Sequence, residues 1–152
     1  MRDKPRKLLH IDTIVHDGIP NRLDITEYRS GESLLVVTHR YDGISEPHLS
    51  AALHTHPYYE FELVYGGKGV QILSSSSVDM SRGQSCLRTP NSPHTTHEDP
   101  QAPLRSYNIR FTADFVPQEI PTRMLVGSGA LCARLNEEEL QNMIGTISVL
   151  TE

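Results

Sequence analysis

Apolar and polar residues alternate through much of the first 115 positions, and the alternation breaks at Gly, Pro and Ser clusters instead of settling into helical spacing. The apolar residues Leu8, Leu9, Ile11, Ile14 and Val15 fit neither period well and read as a first edge strand that ends at Asp17-Gly18. Leu23, Ile25 and Tyr28 alternate, and Leu34 to Thr38 is a branched run between Gly31 and Asp42-Gly43, so two further strands are expected. Tyr58 to Tyr65 carries aromatic and branched residues and stops at Gly66-Gly67; Gly69 to Leu73 then reads as its hairpin partner. Ser74 to Ser77 looks like a second turn, and Val78 to Arg82 and Ser85 to Thr89 follow as short strands before the Pro90 and Pro93 turn. In Ser106 to Phe111, Tyr107, Ile109 and Phe111 share one face, while Ser106, Asn108 and Arg110 share the other. About seven to nine short strands at this spacing predict a sandwich or barrel.

After Pro121 the pattern changes. Asn136 followed by Glu137, Glu138 and Glu139 is a capped helix start, with carboxylates against the positive end of the helix dipole. Leu140, Met143, Ile144 and Ile147 then form a stripe at helical spacing, and Ser128 to Leu135 reads as a preceding helix. The stripe suits packing on the barrel or a dimer seam.

Composition narrows the classes. The chain of 152 residues with 37% hydrophobic content suits one domain with its own core. A net charge of −5 disfavours a nucleic-acid surface, because phosphate neutralisation needs a concentrated basic face. The basic cluster Arg2, Lys4, Arg6 and Lys7 reads as a solvated terminus. The sequence has neither an apolar run of about eighteen residues nor the apolar core of a signal peptide. The expectation is therefore a cytoplasmic protein without a membrane partner. Cys86 and Cys132, far apart and outside any CxxC pair, read as reduced, partly buried thiols.

The chemistry concentrates in His54 to Gly69, HTHPYYEFELVYGGKG. His54, His56 and Glu60 have equal parity and converge on one face of an unbroken strand, and His94 can join them from a neighbouring strand. The other parity, Tyr59, Phe61, Leu63 and Tyr65, is apolar; if that set faces the core, the histidines face outward. Both arrangements hold if the strand lies between the barrel interior and a covering layer.

The spacing His54-x-His56-(x)3-Glu60-(x)6-Gly67, with Gly83 and His94 later, resembles the metal-binding signature of the cupin superfamily. It departs from that signature at Ser92, where glycine is usual, in the single residue between Ser92 and His94, and at Glu98, where asparagine is usual. With Pro90, Tyr107-Asn108-Ile109-Arg110-Phe111 and Phe115, the same stretch resembles the N-terminal regulatory domain of AraC-family transcription regulators over about Leu53 to Phe115.

That resemblance implies a mainly β fold: a cupin-like double-stranded β-helix (jelly-roll) barrel followed by one or two C-terminal helices. Residues 1–120 would form the sensor barrel, and 121–152 a helical segment for dimerisation or leading to a DNA-binding domain absent from this chain. It implies a small-molecule effector, a homodimer through the C-terminal helix, no enzymatic activity, and ligand contacts from His54, His56, Glu60, His94, Tyr107 and Arg110. The alternative is a metal-dependent cupin dioxygenase, isomerase or decarboxylase in which His54, His56, Glu60 and His94 hold Zn, Ni, Fe or Mn.

Overall fold

A computed structural model describes residues 6–8, 14–16, 19–21, 23–41, 53–115 and 130–151. The residue 120–121 boundary, Pro121 and the basic residues Arg2 and Lys4 lie outside that set.

The fold is a cupin-like jelly roll. Its main sheet has seven strands in the order β1-β4-β5-β11-β6-β9-β12. These strands are β1 (Arg6–Leu8), β4 (Leu23–Ser30), β5 (Ser33–Arg40), β11 (Arg105–Phe111), β6 (Tyr59–Gly66), β9 (Gln84–Arg88) and β12 (Ala130–Arg134). A three-stranded sheet, β10-β7-β8, faces it and is built from β10 (His94–Glu98), β7 (Gly69–Leu73) and β8 (Ser77–Met80). Strands β2 (Ile14–His16) and β3 (Ile19–Asn21) pair separately.

Each element follows from local chemistry, but some partners differ from the sequence expectation. β7 and β8 form the hairpin expected at the serine patch, closed by Leu73 N–H donating to the Ser76 carbonyl at 2.8 Å. Strand β6, by contrast, does not pair with β7. The Gly66-Gly67 corner carries the chain from one sheet to the other, and Lys68 N–H donates to the Ala102 carbonyl at 2.8 Å. Gly67 has φ +83°, and a Cβ there would lie 2.1 Å from the Pro103 carbonyl oxygen, so this turn closes against a third segment instead of a partner strand.

Two further expectations are corrected. The described part of Ser128 to Leu135 is mostly strand, because β9 offers an unpaired edge on which β12 zips antiparallel. That register sets Cys86 directly opposite Cys132 with Cα atoms 4.1 Å apart, and the two are joined as a disulfide, not held as separate thiols. A separation of 46 residues hides such a contact from any local motif.

The helix α1 (Glu137–Leu150) begins as expected. Asn136 caps it, its side chain accepts from Glu139 N–H at 2.9 Å, and Glu139 returns the bond to the Asn136 amide at 2.8 Å. Its apolar stripe packs within the same chain. Leu140 and Ile147 join Val37, Leu63 and Tyr107 in a buried cluster, with Phe61, Tyr65, Ile109, Met143 and Ile144 around it. Each such buried aliphatic side chain contributes roughly 1.5–3 kcal/mol. The helix therefore covers the outer face of the main sheet, and residues of opposite parity face the small sheet.

The corner glycine gives a direct test. Gly67→Ala should lower unfolding free energy by about 3 kcal/mol, through left-handed strain plus the clash at Pro103. Urea titration checks this; a change within error would mean that the corner is loosely held.

Candidate functional site

Register builds the site. On the inner face of the main sheet, Val36, Arg110, Glu60 and Arg88 stand side by side on β5, β11, β6 and β9. The next rung inward is Thr38, Asn108, Glu62 and Cys86. Glu60 thus lies between two arginines because its cross-strand partners happen to be Arg110 and Arg88.

The buried Arg88 guanidinium donates from Nη2 to Glu60 Oε1 and, at 3.2 Å, to Glu62 Oε2. Asn108 Nδ2 donates to Glu60 Oε1 at 3.2 Å, and Arg110 Nε stands 3.4 Å from Glu60 Oε2. Burial alone would raise the Glu60 pKa, but the two arginines, Asn108 and His94 outweigh it and bring it from 4.5 down to about 2. Arg88 stays protonated, because the two carboxylates outweigh its burial.

The histidines come from the segment before β6 and from the first residue of β10. His54 and His94 exchange backbone N–H···O bonds of 3.0 Å each, and Asn91 N–H donates to the His56 carbonyl at 2.7 Å. This pins the histidine segment against the small sheet. The ligand nitrogens of His54, His56 and His94 all lie within 4.8 Å of one another. His94 Nδ1–H donates to the Ser92 carbonyl at 2.8 Å, which leaves Nε2 as a lone pair directed toward Glu60, 3.9 Å away. Burial and Arg88 lower the His94 pKa from 6.5 to about 4, so this imidazole is neutral at pH 7. His56 stacks on Tyr58 with rings 8° from parallel, and the Arg110 guanidinium sits 5.8 Å from the same Tyr58 ring.

The structure thus gathers His56, Glu60, His94 and the half-exposed Arg110 around one carboxylate, with the exposed His54 at the rim. It separates Tyr107 from them: that side chain is on the opposite face, stacked on His39 at 4.1 Å and packed in the cluster under α1. Strand parity decides this, since Tyr107 and Arg110 differ by an odd number of residues. Glu98, which departs from the cupin signature, closes β10 in a buried ion pair with Arg40 at 2.6 Å. The interior residues missed by sequence reasoning are Arg88 and Glu62. The only signal for Arg88 is its parity opposite Leu87 in the run QSCLR.

These groups make the fold acid-sensitive. Glu60 has a depressed pKa, so its contribution is complete above about pH 4.5 and fades as pH falls toward 2. Neutral, buried His94 also contributes fully above 6.5 and loses that contribution as pH falls through about 4. Urea midpoints should decline below pH 6.5 in the wild type. Glu60→Gln should cost about 3 kcal/mol at pH 7, since Arg88 loses one of its two counter-charges, and should flatten the profile below pH 4.5. A mutant profile parallel to wild type would remove Glu60 from this account.

Comparison with known proteins agrees with this architecture. The AraC-like ligand binding domain family matches residues 42–146. The AraC-like transcriptional activator CuxR superposes with a TM-score of 0.52 at 10% identity, over 96% of this chain and 50% of that one. Apo ToxT K231A from Vibrio cholerae superposes with a TM-score of 0.55 at 9% identity, over 80% of this chain and 48% of that one. A cupin protein from Bacteroides fragilis matches at 17% identity with a TM-score of 0.42, over 62% of this chain and 75% of that one. No curated protein sequence matches significantly. This chain spans about half the length of CuxR and of ToxT. With the family match covering 42–146 and a jelly roll whose polar site lies inside the barrel, the chain belongs to the AraC-like ligand binding domain family.

Proposed function

We propose that this domain senses a small polar molecule for an AraC-family transcription regulator whose DNA-binding helix-turn-helix part lies outside these 152 residues. The observation that carries this reading is the rung Arg110–Glu60–Arg88, in which the buried Glu60 and Arg88 and the half-exposed Arg110 present polar atoms with bonds still to make. Glu60 Oε2, Arg88 Nε and Nη1, Asn108 Oδ1 and Arg110 Nε have no hydrogen-bond partner among the described residues, although Glu60 Oε2 and Arg110 Nε face each other as an ion pair. Such groups are costly when dry, and a bound effector would satisfy them.

Coupling follows from the two faces of β6. Glu60 and Glu62 face the interior, while Phe61, Leu63 and Tyr65 belong to the cluster that holds α1. A ligand that draws Arg110 or Asn108 away from Glu60 shifts β6 and β11 beneath the helix. Helix α1 then pairs in a homodimer differently in the two states, and the effector favours whichever state it binds better. The reading is non-enzymatic and intracellular; no described helix is long and apolar enough to cross a membrane.

A second reading rests on the three imidazoles. His94, with its Nδ1–H committed to Ser92, presents a lone pair to an anionic carboxylate, an arrangement that a cation between them would relieve. His54, His56 and His94 would hold Zn, Ni, Fe or Mn, and Glu60 would balance charge from its arginine clamp instead of acting as a ligand. When bound, such an ion supplies Lewis acidity or a structural tie, and the residues present serve either a sensor or an enzyme.

Two measurements separate these readings. In hydrogen-exchange mass spectrometry, a compound that raises Tm should change exchange in β6 and in residues 137–150 together, and Arg110→Gln should weaken its binding about tenfold. Altered exchange confined to the barrel would contradict the coupling. Elemental analysis of protein purified without added metal should show about one ion per chain if the imidazoles form a metal site, lost in His94→Ala. Stoichiometric metal together with turnover of a small acid would move the protein to the enzyme class.

A further inference from the structure

The unmet polarity extends beyond the histidine rim to a residue on the opposite sheet. Gln71 is fully buried at 0% exposure, and neither its Oε1 nor its Nε2 has a hydrogen-bond partner among the described residues. It sits in the middle of β7, opposite Thr96 on β10 and Val78 on β8, so the three share the inner face of the small sheet. His94 opposes Leu73, the next inward residue of β7, which makes Gln71 its diagonal neighbour at about 7–8 Å, within reach of long side chains. On the other flank, Val78 packs on the cluster of Val64, Met80, Cys86 and Leu104 that joins the sheets. Cys86 belongs to the same rung as Glu62 and Asn108. Gln71 therefore points from the small sheet into the barrel, toward the polar inner face of the main sheet.

Bare groups of both kinds line the two inner faces. Gln71 Nε2 and Arg88 Nε and Nη1 are donors; Gln71 Oε1 and Asn108 Oδ1 are acceptors. The two carboxylates, Glu60 and Glu62, are matched by the two guanidiniums, Arg88 and Arg110, so an added negative charge would have to displace one of them. A carboxamide with both its donor and its acceptor bare is completed by one group that presents acceptor and donor side by side, which is the edge of a cyclic amide. Further carbonyls on such a ring would accept from Arg88, and a further N–H would donate to Asn108.

We infer that the barrel interior between Gln71, Asn108 and Arg88 binds an uncharged cyclic amide or ureide, and that Gln71 reads its amide edge. This rests on the sensor reading of the same site and narrows it to a ligand class.

Uracil is a suitable probe, because it carries adjacent N–H and C=O groups on a small uncharged ring. Its controls are 1,3-dimethyluracil, which keeps the carbonyls without the donors, the anion orotate, and the hydroxyl-rich xylitol. Side-chain NMR of the 152-residue chain should show uracil moving the Gln71 and Asn108 amide signals and the Arg88 Nε signal, with dimethyluracil at least tenfold weaker. Gln71→Leu keeps the volume and removes two bare polar atoms, so its Tm without probe should match or exceed wild type while uracil affinity falls at least tenfold. Equal binding of dimethyluracil, or uracil binding unchanged in Gln71→Leu, overturns the role given to Gln71. Preferential binding of orotate or xylitol at the same signals overturns the ligand class and leaves the sensor reading standing. Silence of all four probes overturns the inference, and the hydrogen-exchange experiment on α1 then decides the sensor reading separately.

Discussion

One carboxylate held between two guanidiniums inside a β barrel sets the terms for the rest of the site. Glu60 could not ionise in a dry interior by itself, and Arg88, almost fully buried, could not remain there without a counter-charge. Their pairing across β6 and β9, with Arg110 on the other flank, lets the barrel centre stay polar where a jelly roll of this size would otherwise fill with aliphatic side chains. Asn108 and Glu62 extend the same network one rung inward. The apolar filling is displaced to the far end, where Val64, Met80, Cys86 and Leu104 join the two sheets.

A polar interior puts the burden of stability on the outside of the main sheet. There α1 supplies what the barrel centre lacks, burying Leu140 and Ile147 against Val37, Leu63 and Tyr107. Alternate residues of β6 and β11 therefore belong to two environments at once, an inner charge network and an outer aliphatic one. No long relay is needed between them, because adjacent residues on one strand already touch both. The disulfide between Cys86 and Cys132 ties the strand that carries Arg88 to the strand that leads into α1, so the edge of the sheet moves with its centre.

The histidine rim bears on either functional reading. His94 is oriented by a backbone carbonyl and His56 is stacked by Tyr58, which gives two nitrogens fixed directions toward the interior. Fixed imidazoles serve a metal ion or a hydrogen-bonded ligand equally well. What distinguishes this site from an open carboxylate-and-histidine set is that Glu60 Oε1 is already engaged by Arg88 and Asn108.

Much of this was legible in the amino-acid order. Alternation revealed many of the strands, and the Asn136 capping box marked the start of the helix. His54, His56 and Glu60, however, do not share one unbroken strand as their parity predicted: β6 begins at Tyr59, and the backbone bridge between His54 and His94 positions the histidines. Parity also raised the conflict over β6, whose apolar and polar sides both had claims on the core. Only the tertiary structure resolved it, by laying α1 over one face and the small sheet over the other, because which faces are covered depends on partners distant in sequence. The same limit explains the Gly66-Gly67 corner, read as a hairpin but closed against Ala102 and Pro103, and the cysteine pair, brought together by strand register. Local chemistry determines what each strand offers on its two faces. Register and layering, set by contacts among remote segments, decided that Arg88 and Arg110 would meet Glu60.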